Sequence, residues 1–409
     1  MAGGGRLHYW RNPAGIGGPK IGTQNVAERK KAAGRRRKAG YAFLCTYFFL
    51  LTYFTAMQIL YGVPGEGLGH ATRSKVVIAW LLEQGHDVRV VSSSRAFTLL
   101  DKTFPGRVLE IKGFHLAYKQ LTVSKSRTVG LTLRTAPETL QTNFRQYRQL
   151  LRGFRPQAVI SDFESFSYFY AKLLRVPVIS LDNMQILVRA QLDVAVPPAE
   201  REHYDLARSI VRLKLPRARH YLVTTFFDLP LKPRHAERTT LVPSIIRPEI
   251  QAAQPTTGDY VLVYQTATTQ TDLVDILRQL PDTEFRVYGF NKDETHGNVL
   301  LRPFSEAGFI AELAGARAVL TNGGFSLISE AVYLHKPVCA VPIPAQFEQW
   351  LNAAEIQTRG YGRHLAAMAA DGIGAFLLEL PRFEAALASY EQRGNEVLFT
   401  RLAGLLAEV

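Results

Sequence analysis

The chain has 409 residues, 47% hydrophobic and 21% charged, a balance that excludes a disordered or fibrous chain and leaves room for two ordinary domains. Two cysteines, Cys45 and Cys339, are too few for a disulfide framework or a metal cluster, so a reducing compartment such as the cytoplasm is expected. The net charge of +14 is uneven: residues 1–56 carry ten Lys/Arg against one acid, Glu28, and the rest carries 39 against 34.

The first 56 residues are Gly-rich and basic, then apolar. The run Arg35-Arg36-Arg37-Lys38 suits nucleic acid or anionic lipid, but such runs are more often solvated arms, and no specific nucleic-acid partner is expected. From Tyr41 to Val63 the chain is uncharged, which on length alone reads as a membrane span. Gln58 to Gly62, however, reads as a buried first strand, and without it the apolar run is about sixteen residues, marginal for spanning. Residues 1–56 are therefore read as an extension upstream of a working protein that starts at Met57, with a membrane-associating N terminus as the alternative.

From Met57 short apolar runs alternate with helical stretches. Ile59 to Gly62, Val88 to Ser92, Ala158 to Ser161, Val176 to Leu181 and Tyr221 to Thr224 read as buried strands. A second series runs through Tyr260 to Tyr264, Phe285 to Tyr288, Ala318 to Thr321 and Val338 to Val341, with a helix over Ser305 to Gly315. The alternation predicts an α/β protein with two Rossmann-like, doubly wound domains, over residues 57–245 and 258–375. Leu241 to Thr257, punctuated by Pro243, Pro248 and Pro255, has the composition of a linker, and residues 376–409 read as terminal helices.

Two glycine-rich turns carry the chemistry. Thr321 to Glu330 reads as a strand end, the turn Gly323-Gly324 and a helix start; bare backbone and the positive helix end make an anion site there. Ser326 and Ser329 add hydroxyl donors, and Glu330 is placed to accept both hydroxyls of a ribose. For Gly-Gly alone a plain tight turn is the simpler reading. The continuation shifts the balance: after Pro337 and a strand come Pro342, Pro344, Gln346, Glu348, Gln349, Asn352 and Ala353, acid and amide groups at the carboxyl edge of a parallel sheet, suited to sugar hydroxyls. The other turn, Gly65-Glu66-Gly67-Leu68-Gly69-His70, lies between the first strand and a helix over Ala71 to Gln84.

Gly323-Gly324, Glu330, Pro337, Pro342, Glu348-Gln349 and Asn352-Ala353 resemble, in order and spacing, the donor signature of the UDP-glycosyltransferase and peptidoglycan N-acetylglucosaminyltransferase superfamily. The loop through Gly67 and Gly69 to His70 resembles the glycine-rich loop on that family's acceptor side. The resemblance implies a GT-B fold, two domains facing across a cleft, and transfer of a sugar from a nucleotide-diphosphate donor, a UDP-sugar, to a glycan, lipid-linked or other hydroxyl acceptor, as in cell-envelope polysaccharide synthesis. It assigns Gly324 and Ser326 to the diphosphate, Glu330 to the ribose, and Glu348 and Gln349 to the donor sugar. Asn322 stands where many members have His, and Glu348 where many have Asp, departures that bear on sugar and phosphate contacts rather than on the fold.

An attacking hydroxyl must lose a proton, so a base is needed near the cleft. His70 is the first candidate, set against a His bonded to its own loop or to phosphate. Asp162, after the strand Ala158 to Ser161, would orient His70, act as base itself, or merely cap a helix; Glu66 is the third candidate. Departing charge falls to the Gly323-Gly324 backbone and the helix dipole. With no Asp-x-Asp motif or His/Cys cluster, neither metal nor cofactor is expected. Thr266 or Thr268 caps the phosphates or sits in a plain loop.

Lys112 to Arg155 holds nine Lys/Arg and one acid, Glu138, among aromatic residues, and Arg201 to Arg219 is also basic. This suits an anionic glycan, a lipid phosphate or the inner face of the plasma membrane, and equally a solvated amphipathic face. A nucleotide-sugar epimerase of the same fold and a non-catalytic sugar-nucleotide binding protein are the competing classes.

Overall fold

A computed structural model describes residues 56–65, 67–111, 148, 152–265 and 272–409. The N-terminal extension, Glu66, Thr266, Thr268 and most of the basic stretch 112–155 lie outside the described residues. Among the described residues, no helix is long and apolar enough to cross a membrane.

The compact unit Ala56–Val409 contains two seven-stranded sheets. The first is built from β1 (Gln58–Gly62), β2 (Asp87–Ser92), β3 (Val108–Glu110), β4 (Ala158–Ser161), β5 (Val178–Asp182), β6 (His220–Thr225) and β7 (Thr239–Pro243). Its order is β3-β2-β1-β4-β5-β6-β7, every pair parallel, with Ile59 opposite Val88 on one side and Ala158 on the other. Helices cover both faces of such a sheet, which is why β4, β5 and β6 are buried along their whole length and read as unbroken runs rather than alternating ones.

The second sheet comprises β8 (Tyr260–Tyr264), β9 (Glu284–Tyr288), β10 (Glu294–His296), β11 (Val299–Leu301), β12 (Ala318–Thr321), β13 (Val338–Ala340) and β14 (Gly362–His364). Their order is β10-β11-β9-β8-β12-β13-β14, parallel except for the β10–β11 pair. Strand order reverses between β1 and β4 and again between β8 and β12, and crevices at the carboxyl ends of strands open at such reversals. The Gly65 to His70 loop follows β1 and the Asn322 to Gly324 loop follows β12, so each glycine-rich turn sits at a reversal.

One expectation is corrected. Leu241 to Pro243 is not linker but the end of β7, paired parallel with β6. Because β7 is the sheet edge, Pro243 can lack an N–H without breaking a ladder. The connection proper begins at Ser244 and includes the short helix Pro248–Ala252, whose Ile250 is fully buried. Asn395 binds it from both sides, accepting from Ile246 N at 2.9 Å and donating to Ile246 O at 2.7 Å. The final helix Glu396–Ala407 packs on the first sheet: Leu398, Leu402 and Leu405 join a core with Val242 and Ile245, and Phe399 stacks on Trp80 at 4.6 Å.

Candidate active site

The helix Leu68–Glu83 starts directly after the first glycine-rich turn, with Gly67 in the left-handed region at φ 78°. Helical spacing puts His70, Arg73 and Ser74 on one face. That face meets Asp162, which follows β4 beside β1 and is 1% exposed. The Asp162 carboxylate is saturated: Oδ1 lies 2.9 Å from His70 Nδ1 and accepts from Arg73 Nη2, while Oδ2 accepts from Arg73 Nε at 2.8 Å and from Ser74 Oγ at 3.0 Å. Burial would raise its pKa, but Arg73 and then His70 overcome that and hold the carboxyl well below the usual carboxylate range.

Asp162 is therefore a poor proton acceptor at neutral pH, and of the roles expected for it the geometry fits orientation of His70. It is not a helix cap: Glu164 caps the helix Ser165–Leu174, accepting from Phe166 N at 2.7 Å and Ser167 N at 2.6 Å. His70 keeps a side-chain exposure of 21%, so its ring reaches the surface of the cleft while its partner stays buried.

Across the cleft, Asn322-Gly323-Gly324 leads from β12 into the helix Phe325–Tyr333. Gly323 has φ 90°, and a Cβ there would stand 2.9 Å from the Gln349 carbonyl oxygen, so two separate constraints require glycine. Asn352 Nδ2 ties the same turn down by donating to Gly323 O at 3.0 Å. Gly324 is the helix N-cap without a side-chain cap, and the Ser326 hydroxyl stands on the first turn. A Cβ on Gly69 would come 2.7 Å from Ser326 Oγ, so the two glycine-rich turns meet and His70 lies next to the positive end of this helix.

Ser329 and Glu330 are placed differently from the other signature residues. The sequence puts Ser329 among the phosphate hydroxyls, but it is 1% exposed and its Oγ donates to Ser244 Oγ at 2.9 Å, so packing turns it away from the loop. Glu330 is buried and holds Arg247 in a two-pronged pair, Nε to Oε1 at 2.6 Å and Nη2 to Oε2 at 2.7 Å, with Arg247 Nη1 also reaching Glu306 at 3.2 Å. Burial pushes the Glu330 carboxyl up despite Arg247. In the helix Phe347–Arg359, Gln346 is exposed at the N-cap, Gln349 Oε1 accepts from Ile343 N at 2.9 Å, and Glu348 Oε1 accepts from Asn183 Nδ2 at 2.8 Å.

Arg73, Asn183 and Arg247 join the candidate site through their contacts with Asp162, Glu348 and Glu330, and sequence reasoning missed all three. Arg73 stands three residues after His70, a helical spacing that could have drawn notice; Asn183 and Arg247 gave no local signal. Among the described residues no group of three or more His, Cys, Asp or Glu is arranged to hold a metal ion.

Two facing α/β sheets, reversal-point glycine loops and a His–Asp pair opposite a helix N terminus define a GT-B glycosyltransferase. The profile of glycosyl transferase family 1 matches residues 57–381, and the chain belongs to that family. Proteins described as uncharacterized glycosyltransferases from Methanosarcina acetivorans and Methanosarcina mazei are each 24% identical to it over 344 and 343 residues, 76% of this chain and 86% of theirs. Among solved structures it is similar to the Phytolacca americana glycosyltransferase complexed with UDP-2-fluoro-glucose and pterostilbene, at TM-score 0.61 and 16% identity over 86% of this chain and all of the other (100%). It is also similar to the glycosyltransferase of kitacinnamycin, at TM-score 0.60 and 16% identity over 87% and 99% of the two chains. These likenesses show the fold.

Proposed function

We propose that the protein transfers a sugar from a UDP-sugar to a hydroxyl acceptor, with His70 as base, Asp162 as its orienting partner, and no metal. The observation that carries this reading is the His70–Asp162 pair, next in the chain to Gly69, which packs against Ser326 of the second turn. A hydroxyl at His70 and a donor diphosphate at the Gly323–Ser326 backbone would face each other there. Imidazole with Nδ1–H donated to Asp162 keeps a lone pair on Nε2 for the acceptor proton; Arg73 Nη2, a donor only, stands 2.8 Å from the same Nδ1 and favours the other tautomer. As the bond to the diphosphate breaks, the N–H groups of the turn and the helix end meet the departing charge.

Glu330 suits the ribose and Glu348 with Gln349 the sugar, the ribose hydroxyls approaching Glu330 beside or in place of Arg247. The Phytolacca americana enzyme was solved with a UDP-sugar, which supports uridine; the spinosyn rhamnosyltransferase was solved with thymidine diphosphate, so both bases belong in the test. Basic side chains on the amphipathic helix Arg201–Lys214 suit an anionic membrane surface, and liposomes of anionic lipid at low salt that failed to bind the protein would remove this element.

The test is thermal shift of the full chain with UDP, dTDP and their sugars, repeated in EDTA, beside Glu330→Gln. UDP stabilisation that is unchanged in EDTA and lost in the variant is expected. A folded protein shifted by no nucleotide diphosphate would overturn the donor assignment.

A further inference from the structure

One unbroken chain of hydrogen bonds leads from the catalytic pair to the opposite lobe. Arg73 gives Nε and Nη2 to Asp162 and turns its remaining arm outward, Nη1 donating to Asn183 Oδ1 at 2.8 Å. Asn183 in turn donates Nδ2 to Glu348 Oε1 at 2.8 Å. Arg73 and Asn183 are each 5% exposed, so water does not compete for these bonds. A guanidinium only donates and a carboxylate only accepts, so the amide can sit between them in one orientation alone. Asp182, the preceding residue, is committed elsewhere, accepting from Ser180 Oγ at 2.7 Å and Gln185 N at 2.9 Å.

We propose that Asn183 is a positioning residue that sets donor-sugar recognition from the acceptor-side lobe, by pinning one oxygen of Glu348 and aiming the other at the sugar. The inference rests on the reading of Glu348 as a sugar contact given above. Glu348 stands on the first turn of its helix and is only partly buried, so without Asn183 its side chain is free to choose rotamers, and Oε2 has no protein partner among the described residues. An oxygen held at 2.8 Å by a buried amide fixes the plane of the carboxylate, hence the direction of the remaining lone pairs. The sugar is then read through contacts from both lobes, whereas the nucleotide is read by the second lobe and Arg247. Asn183 touches neither nucleotide nor acceptor in this arrangement; it acts through Glu348.

The discriminating measurement is calorimetric affinity for UDP and for UDP-glucose and UDP-galactose in the full chain, wild type against Asn183→Ala, Asn183→Asp and Glu348→Gln. UDP affinity is expected to stay within about twofold in every variant, while UDP-sugar affinity falls roughly tenfold in Asn183→Ala, the scale of one hydrogen bond to a charged group. Asn183→Asp, which sets carboxylate against carboxylate, should lose more, and the preference between the two epimeric sugars should narrow in both. Retained UDP binding certifies that a variant is folded. In the double variant Asn183→Ala with Glu348→Gln, the losses should not add, because both act through one group. Wild-type UDP-sugar affinity in Asn183→Ala, or a loss shared equally by UDP and its sugars, would overturn the inference while leaving the donor site standing. Failure of UDP to bind the wild type would instead bring down the donor reading and this inference with it.

Discussion

Removing Arg247 is the sharpest test of how the connection between the lobes is held. Its guanidinium and the Glu330 carboxylate are 10% and 7% exposed and meet through two bonds of 2.6 and 2.7 Å. Arg247→Ala leaves Glu330 buried with no countercharge, and breaking such a pair from one side costs about 3–5 kcal/mol. The third contact, to Glu306, adds little because that carboxylate is 46% exposed. At roughly 2 °C per kcal/mol for a protein of this size, Tm should drop by about 6–10 °C at pH 8.

The deficit should depend on pH, with a sign the structure dictates. Burial already pushes the Glu330 carboxyl up, and Arg247 is the chief counterweight. Without it the folded-state pKa rises further above the unfolded value of about 4.3, and a carboxyl of that kind favours the fold only while protonated. Stability of the variant relative to wild type is thus lost as pH climbs from the unfolded through the folded value, so the deficit at pH 5 should be clearly smaller than at pH 8. Arg247→Ala combined with Glu330→Gln, which leaves no buried charge, should recover most of the loss. Scanning fluorimetry at the two pH values measures all of this. A drop under about 2 °C at pH 8, an equal drop at both pH values, or a double variant worse than Arg247→Ala would show that Glu330 is not a buried charge held by Arg247.

Two further outcomes are expected. His70→Ala should lower kcat by about 10²–10⁴, the usual contribution of a general base, and leave donor KM within a few fold; Asp162→Asn should lower kcat and also Tm, because it strips the countercharge from buried Arg73. Steady-state kinetics at saturating acceptor decides the kcat effects, and scanning fluorimetry the Tm. Glu355 is fully buried, and burial followed by the nearby Asp193 pushes its carboxyl up to about 7, with Arg359 opposing. Its folded-state value lies above the unfolded one, so wild type loses stability from about pH 4.3 upward through 7 and Glu355→Gln does not. The Tm of the variant minus that of wild type should grow between pH 5 and pH 8; a constant difference would show that Glu355 does not titrate there.

Features that depend on neighbours along the chain were legible in order. Unbroken apolar runs announced β1, β4, β5 and β6 because parallel strands are buried on both faces, and the glycines before His70 and Ser326 marked turns that only bare backbone can make. Of the three-residue strands, buried β13 showed as an apolar run, whereas β3, β10, β11 and β14 are too short to show a period; β7 hid behind Pro243, whose fitness for a sheet rests on its being an edge.

Which polar groups meet is set by the fold rather than by order along the chain. Glu330 and Ser329 read as ligands from spacing alone, yet Arg247 and Ser244 come to them from a segment that follows the first sheet, 83 and 85 residues earlier. Asp162 read as a partner for His70, as a base or as a plain helix cap; Arg73, 89 residues away, is what holds it ionised. Asn183 carries no signal of any kind until the chain returns 165 residues later with Glu348. Backbone preference and burial pattern are local and can be read in order; the partner of a buried charge is chosen by whichever part of the chain the two sheets bring to face it.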